Sequence, residues 1–338
     1  MNKKLSVKAL VIGLGFSMAP IVASAADASN APAVEHAVKA PLAEKSLLLD
    51  VERAGERLIA VGGYGNIVLS DDEGSTWRQA QSVPARVTLT AVDFVDEKRG
   101  WAVGHDAVIL KTIDGGENWT RQYFAPEEER PLLEVQFREN GRIGYALGAY
   151  SFRLVSNDGG KSWVSKDLAD NAETDLGMPI EYHLHQVTKA SNGVWYMSAE
   201  AGMAYRSLDK GETWDRIPPP YDGSFFGALP LLGESVLMFG LQGSIYRTDD
   251  GGDDWTEIAN ASTATLNSGL IMDDGTVVLV GNDGAVLVSK TGGQSFQAKS
   301  LNDRKSVADA IEISGGKLLL VGEMGARTIT LGQLKGDI

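Results

Sequence analysis

Thr112-Ile113-Asp114-Gly115-Gly116-Glu117-Asn118-Trp119 decides how this chain is read, because it recurs. Residues 70–77 read S-D-D-E-G-S-T-W, 156–163 S-N-D-G-G-K-S-W, 207–214 S-L-D-K-G-E-T-W and 248–255 T-D-D-G-G-D-D-W. Residues 289–296, S-K-T-G-G-Q-S-F, are a degenerate copy with Thr291 in the Asp place. The shared box is S/T-x-D-x-G-x-x-W/F, and its aromatic positions are spaced 42, 44, 51, 41 and 41 residues apart. A fixed period near forty is the mark of a repeat architecture, in which each unit buries its faces only against its neighbours.

Upstream of each box lies a second signature. Gly62, Gly104, Gly148, Gly240 and Gly281 each stand eight residues before the Ser or Thr that opens a box, Gly322 stands eight before Thr330, and Ala199 fills the place before Ser207. Three positions further on come Gly65, Ala107, Ser151, Gly202, Gly243, Gly284 and Gly325. Glycine is expected here because a tight hairpin needs positive φ. The chain therefore holds seven strand–turn–strand units against six boxes. In the second repeat the short apolar runs predict strands over 89–95, 100–103, 107–112 and 119–122, the content of one propeller blade. The expected fold is all-β, a seven-bladed β-propeller of four-stranded blades over residues 46–338. The last unit, from Val307 through Val321 to Leu331, has three strands and no box. Its fourth strand is expected from 36–44, in the leader 26–45, closing the ring.

The box reads as structural. Asp72, Asp114, Asp158, Asp209 and Asp250 are placed to accept N–H groups of their own turn. Trp77, Trp119, Trp163, Trp214, Trp255 and Phe296 are placed to bury a ring between blades. The same loop appears in every copy, whereas an active site needs asymmetry. Residues 249–254 hold four carboxylates but depart from the calcium-loop pattern D-x-D/N-x-D/N-G.

Composition narrows the function. The chain has 338 residues and no cysteine, which excludes disulfides, thiolate metal sites and cysteine nucleophiles. Lys3, Lys4 and Lys8, an apolar run over 9–22 and Ala23-Ser24-Ala25 predict a secretory signal peptide over 1–25, too short in its apolar core to span a membrane. The expected location is the periplasm of a Gram-negative bacterium. Removing that leader would take the formal charge from −14 to −17. Such a chain does not suit nucleic acid or anionic lipid, so contact with a membrane is expected to be peripheral at most. Residues 27–45, rich in Ala, Pro and Ser, are expected to be a mobile leader.

Function is expected on the face opposite the boxes, in the variable turns. These carry Tyr64, His105, Asp106, Tyr150, Glu200, Gln242, Asp283 and Glu323. The same face carries the longer connections 123–131, with Glu127, Glu128 and Glu129, and 164–181, and the Pro218-Pro219-Pro220-Tyr221 loop. His183 and His185 alternate on a predicted innermost strand. With Glu181 or His105 they form a candidate metal set; otherwise they are polar residues lining the channel. No catalytic, cofactor or metal residue is assigned.

The box is that of the Asp-box or BNR repeats of sialidases and many secreted propellers. The fuller pattern, Gly100-Trp101-Ala102-Val103-Gly104, then Ile109-Leu110-Lys111-Thr112-Ile113-Asp114-Gly115-Gly116 and Trp119, resembles the photosystem II assembly and stability factors, the Ycf48/HCF136-like family. The resemblance spans about residues 46–331. It implies a non-enzymatic exported propeller that helps assemble a membrane-protein complex or binds another envelope protein, acting as a monomer without cofactor. Family members lean on a patch of arginines; this acidic chain has no such cluster, which points to a non-photosynthetic bacterial member, with a transport system as one kind of client. The alternative from the same box is a sialidase-like glycosidase or a carbohydrate- or small-ligand-binding propeller. That chemistry needs three arginines, a Tyr–Glu pair and an acid. Arg216-Ile217-Pro218 mimics one sialidase motif, but after the fourth box rather than before the first.

Overall fold

The computed structural model describes residues 34–166, 168, 181–217 and 221–335. The expected signal peptide, most of the 164–181 connection and the three prolines at 218–220 lie outside them. The described chain forms seven antiparallel sheets, six of four strands and one of three, each in chain order. Blade 2 comprises Leu89–Phe94, Gly100–Gly104, Ile109–Thr112 and Trp119–Tyr123, close to the expected bounds. The innermost strands run from Leu48–Ala54 in blade 1, through Leu132–Arg138, Leu184–Lys189, Phe225–Pro230 and Leu266–Ile271 in blades 3 to 6, to Val307–Ile313 in blade 7. Each touches the next, and the last meets the first. The fold is the seven-bladed propeller that the repeat predicts.

The repeated glycines have two different causes. Gly62, Gly104, Gly240 and Gly281 have φ of −179°, −179°, 177° and −169°, extended values open to any residue. The expectation of positive φ is wrong for them, and the reason is space. A Cβ on Gly104 would lie 2.1 Å from the Thr88 carbonyl oxygen, and on Gly281 2.0 Å from that of Thr265. That carbonyl is engaged: the N–H of the residue after the glycine donates to it, as in His105 to Thr88 at 2.9 Å and Asn282 to Thr265 at 2.8 Å. This bond ties the second-to-third-strand turn to the start of the innermost strand in all seven blades, including blade 4, where Glu200 donates to His183. Positive φ belongs instead to the two central turn residues, such as Tyr64 (59°) with Gly65 (72°) and Asp283 (54°) with Gly284 (68°), the pairing of a type I′ turn.

The boxes lie between third and fourth strands and fasten blade to blade. In blade 2, Thr112 Oγ1 donates to Asp114 (2.9 Å) and accepts the Gly116 N–H (3.0 Å), while Asp114 accepts the N–H of Asn118 (3.0 Å). The same bonds recur around Asp72, Asp158, Asp209 and Asp250. Even the degenerate copy keeps them, with the Thr291 hydroxyl accepting the Ser295 N–H at 3.0 Å. Trp119, 3 % exposed, packs among Ile59, Leu69 and Ala85 of blade 1, and its indole N–H donates to the Gly116 carbonyl at 2.8 Å. Trp163, Trp214, Trp255, Phe296 and Trp77 occupy the matching cores of five further junctions. The junction of blades 6 and 7 has no box aromatic; Leu301, Leu331 and Leu334 fill it.

Closure departs from expectation in two ways. Residues 36–44 form no strand, and the sheet of blade 7 stops at Arg327–Ile329. The leader instead crosses blade 1, where the N–H of Ala37 meets the Val83 carbonyl (3.0 Å) and that of Ala40 meets Gln79 (2.7 Å). Three of the nine residues 36–44 are alanine and one is proline, a composition with little tendency to strand. It ends in a 3-10 turn at Ala43–Lys45, where the Glu44 carbonyl accepts the Ala326 N–H at 2.8 Å. Blade 7 also turns one residue early: Ile329, not Thr330, pairs with Leu318 at the place where Thr112 pairs with Gly100.

Two outcomes follow from this packing. Gly104→Ala is expected to cost at least about 2 kcal/mol in urea unfolding, because the new methyl displaces the Thr88 carbonyl from its N–H partner. Thr291→Asp, which restores the box beside Lys290, is expected to stabilise by about 0.5–1.5 kcal/mol in the same measurement, since a carboxylate accepts from both the N–H and the hydroxyl of Ser295 more strongly than a hydroxyl does.

Candidate functional site

The central channel follows from a defect repeated in every blade. Each innermost strand slips register after its first residue, leaving a bulged residue unpaired with the second strand. The bulged residues include Thr90, His185, Phe226 and Asn267, followed by Asp50, Glu134, Gln186, Ser268 and Asp309 in their own strands. Together they line a cavity of about 130 Å³ where the seven strands converge. Two residues further along lie Glu52 and Asp93.

These polar groups clasp neighbouring blades. Asp50 accepts the Val92 N–H of blade 2 (2.6 Å), and Asp309 that of Val51 in blade 1 (3.2 Å). Asp93 accepts that of Phe137 in blade 3 (2.7 Å), and Gln186 that of Ala228 in blade 5 (2.9 Å). Thr90 and Asn267 donate to the carbonyls of Leu132 (2.7 Å) and Val307 (2.8 Å) on the next blades. Burial drives the carboxyl groups upward: Glu52 and Asp93 to about 7, and Asp50 and Glu134 well above the usual range. Asp50 and Asp309 form a hydrogen-bonded pair in which burial, then the charge of Asp309, hold the proton on Asp50. The formal charge of −14 thus overstates the charge the fold carries near neutral pH. The signal for these residues was present as acids at alternate positions in strands expected to be innermost, Asp50 with Glu52 above all.

At the channel mouth the structure brings together four rings. Tyr150 lies 4.9 Å from His183, His183 6.4 Å from His185, and His185 4.7 Å from Phe226. Burial, then the neighbouring His183, lowers His185 to about 4, so it is neutral at pH 7. Glu200 accepts the His183 N–H at 3.1 Å, so Tyr150 and Glu200, on adjacent blades, are joined through His183. Phe226 was missed in the sequence because only the bulge turns it inward. The other turn residues are spread over the remaining blades: Tyr64, 80 % exposed, His105, Gln242, Asp283 and Glu323 are all exposed, and Asp106, beside His105 in blade 2, is half-buried. Glu323 meets Lys305 at 3.7 Å. Ala125 donates to the Asp106 carbonyl (3.1 Å), which folds the 123–131 connection against its own turn. Tyr221 is fixed, stacked on Tyr246 and donating to the Leu241 carbonyl at 3.1 Å.

Among the described residues no group of three or more His, Asp or Glu is placed to hold a metal ion, and His105 does not join His183 and His185 in one. In the 249–254 run, Asp249 pairs with Arg247 (2.5 Å) and Asp253 with Arg206 (3.0 Å). Those arginines serve the blade junctions: Arg206 donates to the Gly251 carbonyl (2.9 Å), Arg247 to that of Gly292, and Lys111, at the same repeat position, to that of Gly159 (2.8 Å). Arg216 is exposed on the outermost strand of blade 4, Asp215–Ile217.

The channel carboxyl groups give stability a pH dependence. The folded pKa values of Glu52 and Asp93 stand above those of exposed carboxyl groups, so their contribution is whole below about pH 4 and is lost as pH rises through about 7. The box acids work in the opposite sense. The Ser162 hydroxyl and then its N–H hold Asp158 at about 2, so that contribution is present above about pH 4 and is lost as pH falls through 2. The calorimetric unfolding midpoint is therefore expected to fall between pH 5 and pH 8, and Glu52→Gln with Asp93→Asn to flatten the decline. An unchanged midpoint in the parent protein would contradict the assignment.

Comparison with known proteins places this architecture. The chain is 29 % identical over 143 residues to the photosystem II assembly lipoprotein Ycf48 of Synechococcus sp. (strain CC9902), a match covering 42 % of this chain and 40 % of that protein. The chain thus matches about two fifths of the length of this curated relative. A solved structure titled YCF48 bound to D1 peptide superposes with a TM-score of 0.65 at 17 % identity, covering 87 % of this chain and 95 % of that one. An ancestral GH74 enzyme superposes equally well, with a TM-score of 0.66 at 12 % identity over 84 % of this chain and 45 % of that one, so the shared shape speaks for fold alone. The family model described as photosynthesis system II assembly factor YCF48 matches residues 79–140 and 125–295, and with six boxes on seven blades the chain belongs to that family.

Proposed function

We propose that this protein is an exported, non-enzymatic scaffold that binds a segment of a membrane-protein complex on its turn face, assisting assembly or stability. The row of rings at the channel mouth carries the reading. Tyr150, 48 % exposed, together with His183, His185 and Phe226 forms a shelf of rings at the centre of that face. Rings with hydrogen-bonding edges stack on and hydrogen-bond to peptide side chains with little loss of conformational entropy. Among the described residues no arginine lines the cavity under the shelf, and gripping the carboxylate of an acidic sugar needs three, so the glycosidase alternative is not favoured. Family membership supports an assembly role, since relatives are named assembly or stability factors. Support for export is the basic, apolar and small-residue order of residues 1–25, together with relatives named lipoproteins. The envelope location and the monomeric state belong to this proposal, and a transport complex is one client of the right kind.

The test is affinity capture. The immobilised protein, incubated with detergent-solubilised membranes of its own host, is expected to retain an integral membrane protein. Tyr150→Ala with His185→Ala should reduce that retention at least tenfold, while Asp283→Ala, at the periphery of the same face, should leave it within twofold. Equal retention by all three proteins, or no membrane protein retained, would count against the reading.

A further inference from the structure

Six of the seven sheets end in a fourth strand; blade 7 ends at Arg327–Ile329. On that last strand Thr328 is exposed and its two neighbours are half-buried. Neither described end of the chain fills the edge. The C-terminal segment turns back to blade 6, where the Lys335 N–H donates to the Ser300 carbonyl at 3.2 Å. The described part of the leader caps one end of it, through Glu44 and Ala326. A sheet edge of this kind presents unused backbone donors and acceptors, a template for another strand.

The ground on either side has the form a strand would need. Against blade 1 lies a groove of about 530 Å³, walled by Lys45, Gly74, Ser314, Lys317 and Thr328. Against blade 6 lies one of about 250 Å³, walled by Leu301, Asp303, Ile329 and Leu334. Successive side chains of an added strand point alternately to the two faces, one set into each groove. The charges are one-sided. Glu73 is neutralised by Arg53 at 2.8 Å and Asp303 by Arg327 at 2.7 Å, whereas Lys45 and Lys317 make no ion pair among the described residues. In so acidic a chain these two lysines mark a local preference for negative charge.

We propose that the open edge of blade 7 is a docking site for an extended, acid-flanked segment of a partner protein, which adds antiparallel to Arg327–Ile329 as the missing fourth strand. Backbone pairing supplies affinity, the two grooves select side chains, and the lysines select acids beside the strand. The surface is separate from the ring shelf, and its test leaves the residues of that shelf untouched.

The chain has no cysteine, so Thr328→Cys provides one thiol on the edge. The probe is a ten-residue synthetic peptide with Thr and Val alternating at its centre, paired Asp at each end, and one central Cys activated as a thionitrobenzoate disulfide. Attack by the protein thiolate on the peptide sulfur forms the mixed disulfide and releases thionitrobenzoate, which is read by absorbance. The full chain carrying Thr328→Cys is expected to react at least tenfold faster with this peptide than with one interrupted by a central proline or one ending in Lys. Adding Lys45→Glu and Lys317→Glu should slow the Asp-ended peptide at least tenfold. A cysteine-free fluorescent version should bind the unsubstituted protein, in anisotropy, with the same ranking of peptides. Equal rates for the Asp-ended and proline peptides would overturn the proposal. So would a Thr328→Cys protein that pairs with itself in preference to the peptide, which places a second copy on the edge. Reaction that appears only once residues 26–34 are deleted would assign the edge to the chain's own leader and overturn it equally.

Discussion

The indole of Trp119, seated against Ile59 and Leu69 of the preceding blade and held by its N–H to Gly116, is the contact on which the architecture turns. A four-stranded blade alone would expose two apolar faces. The box converts one hairpin into a fastener for the neighbouring sheet, because its glycine brings the loop within contact of the next core: a Cβ on Gly116 would lie 3.1 Å from Leu69. The Asp carboxylate holds the loop in that shape by accepting N–H groups that no strand ladder can satisfy. Repeated at six junctions, this contact makes the ring a sum of nearest-neighbour terms.

The inner rim obeys a different constraint. Seven strands converging on one axis need their first turns drawn together, and the bond from each turn N–H to the carbonyl preceding the innermost strand does this. Beside that bond no Cβ fits in six of the blades, whereas blade 4 accommodates Ala199. The bulge that follows then directs side chains such as His185, Phe226 and Asp50 into the channel. Carboxyl groups serve there as acceptors for N–H groups of the next blade, at the cost of being dehydrated, and burial answers that cost by keeping protons on them. Clasp and channel chemistry therefore share one origin.

The structure divides its labour between faces. On the box side Lys111, Arg206 and Arg247 are committed to carbonyls and carboxylates of adjacent boxes, as Arg206 is to Gly251 and Asp253. The turn side carries exposed side chains that no junction requires. Similar propeller shapes serve enzymes and binding proteins alike, so the role rests on family membership and on these side chains.

Sequence alone determined the blade count, the strand order and the role of the box, because each is a local pattern repeated at a fixed period: Ser or Thr, Asp, Gly and Trp interact within eight residues, and repetition leaves one consistent closure. It also placed Tyr150 and Glu200 on one face. It misassigned Gly104, since positive φ and crowding by a distant carbonyl favour the same residue and only coordinates distinguish φ of −179° from a left-handed value. It also read 36–44 as a strand because the count demanded one, when pairing across the ring seam depends on contacts between opposite ends of the chain. Only the tertiary structure decided that Asp50, Glu52, Asp93, Glu134 and Asp309 converge, that His183 and His185 join Tyr150 and Phe226 rather than His105, and that no strand among the described residues pairs with the outer edge of blade 7. Each of these depends on residues far apart in the chain meeting at one axis or seam, and no local period encodes such meetings.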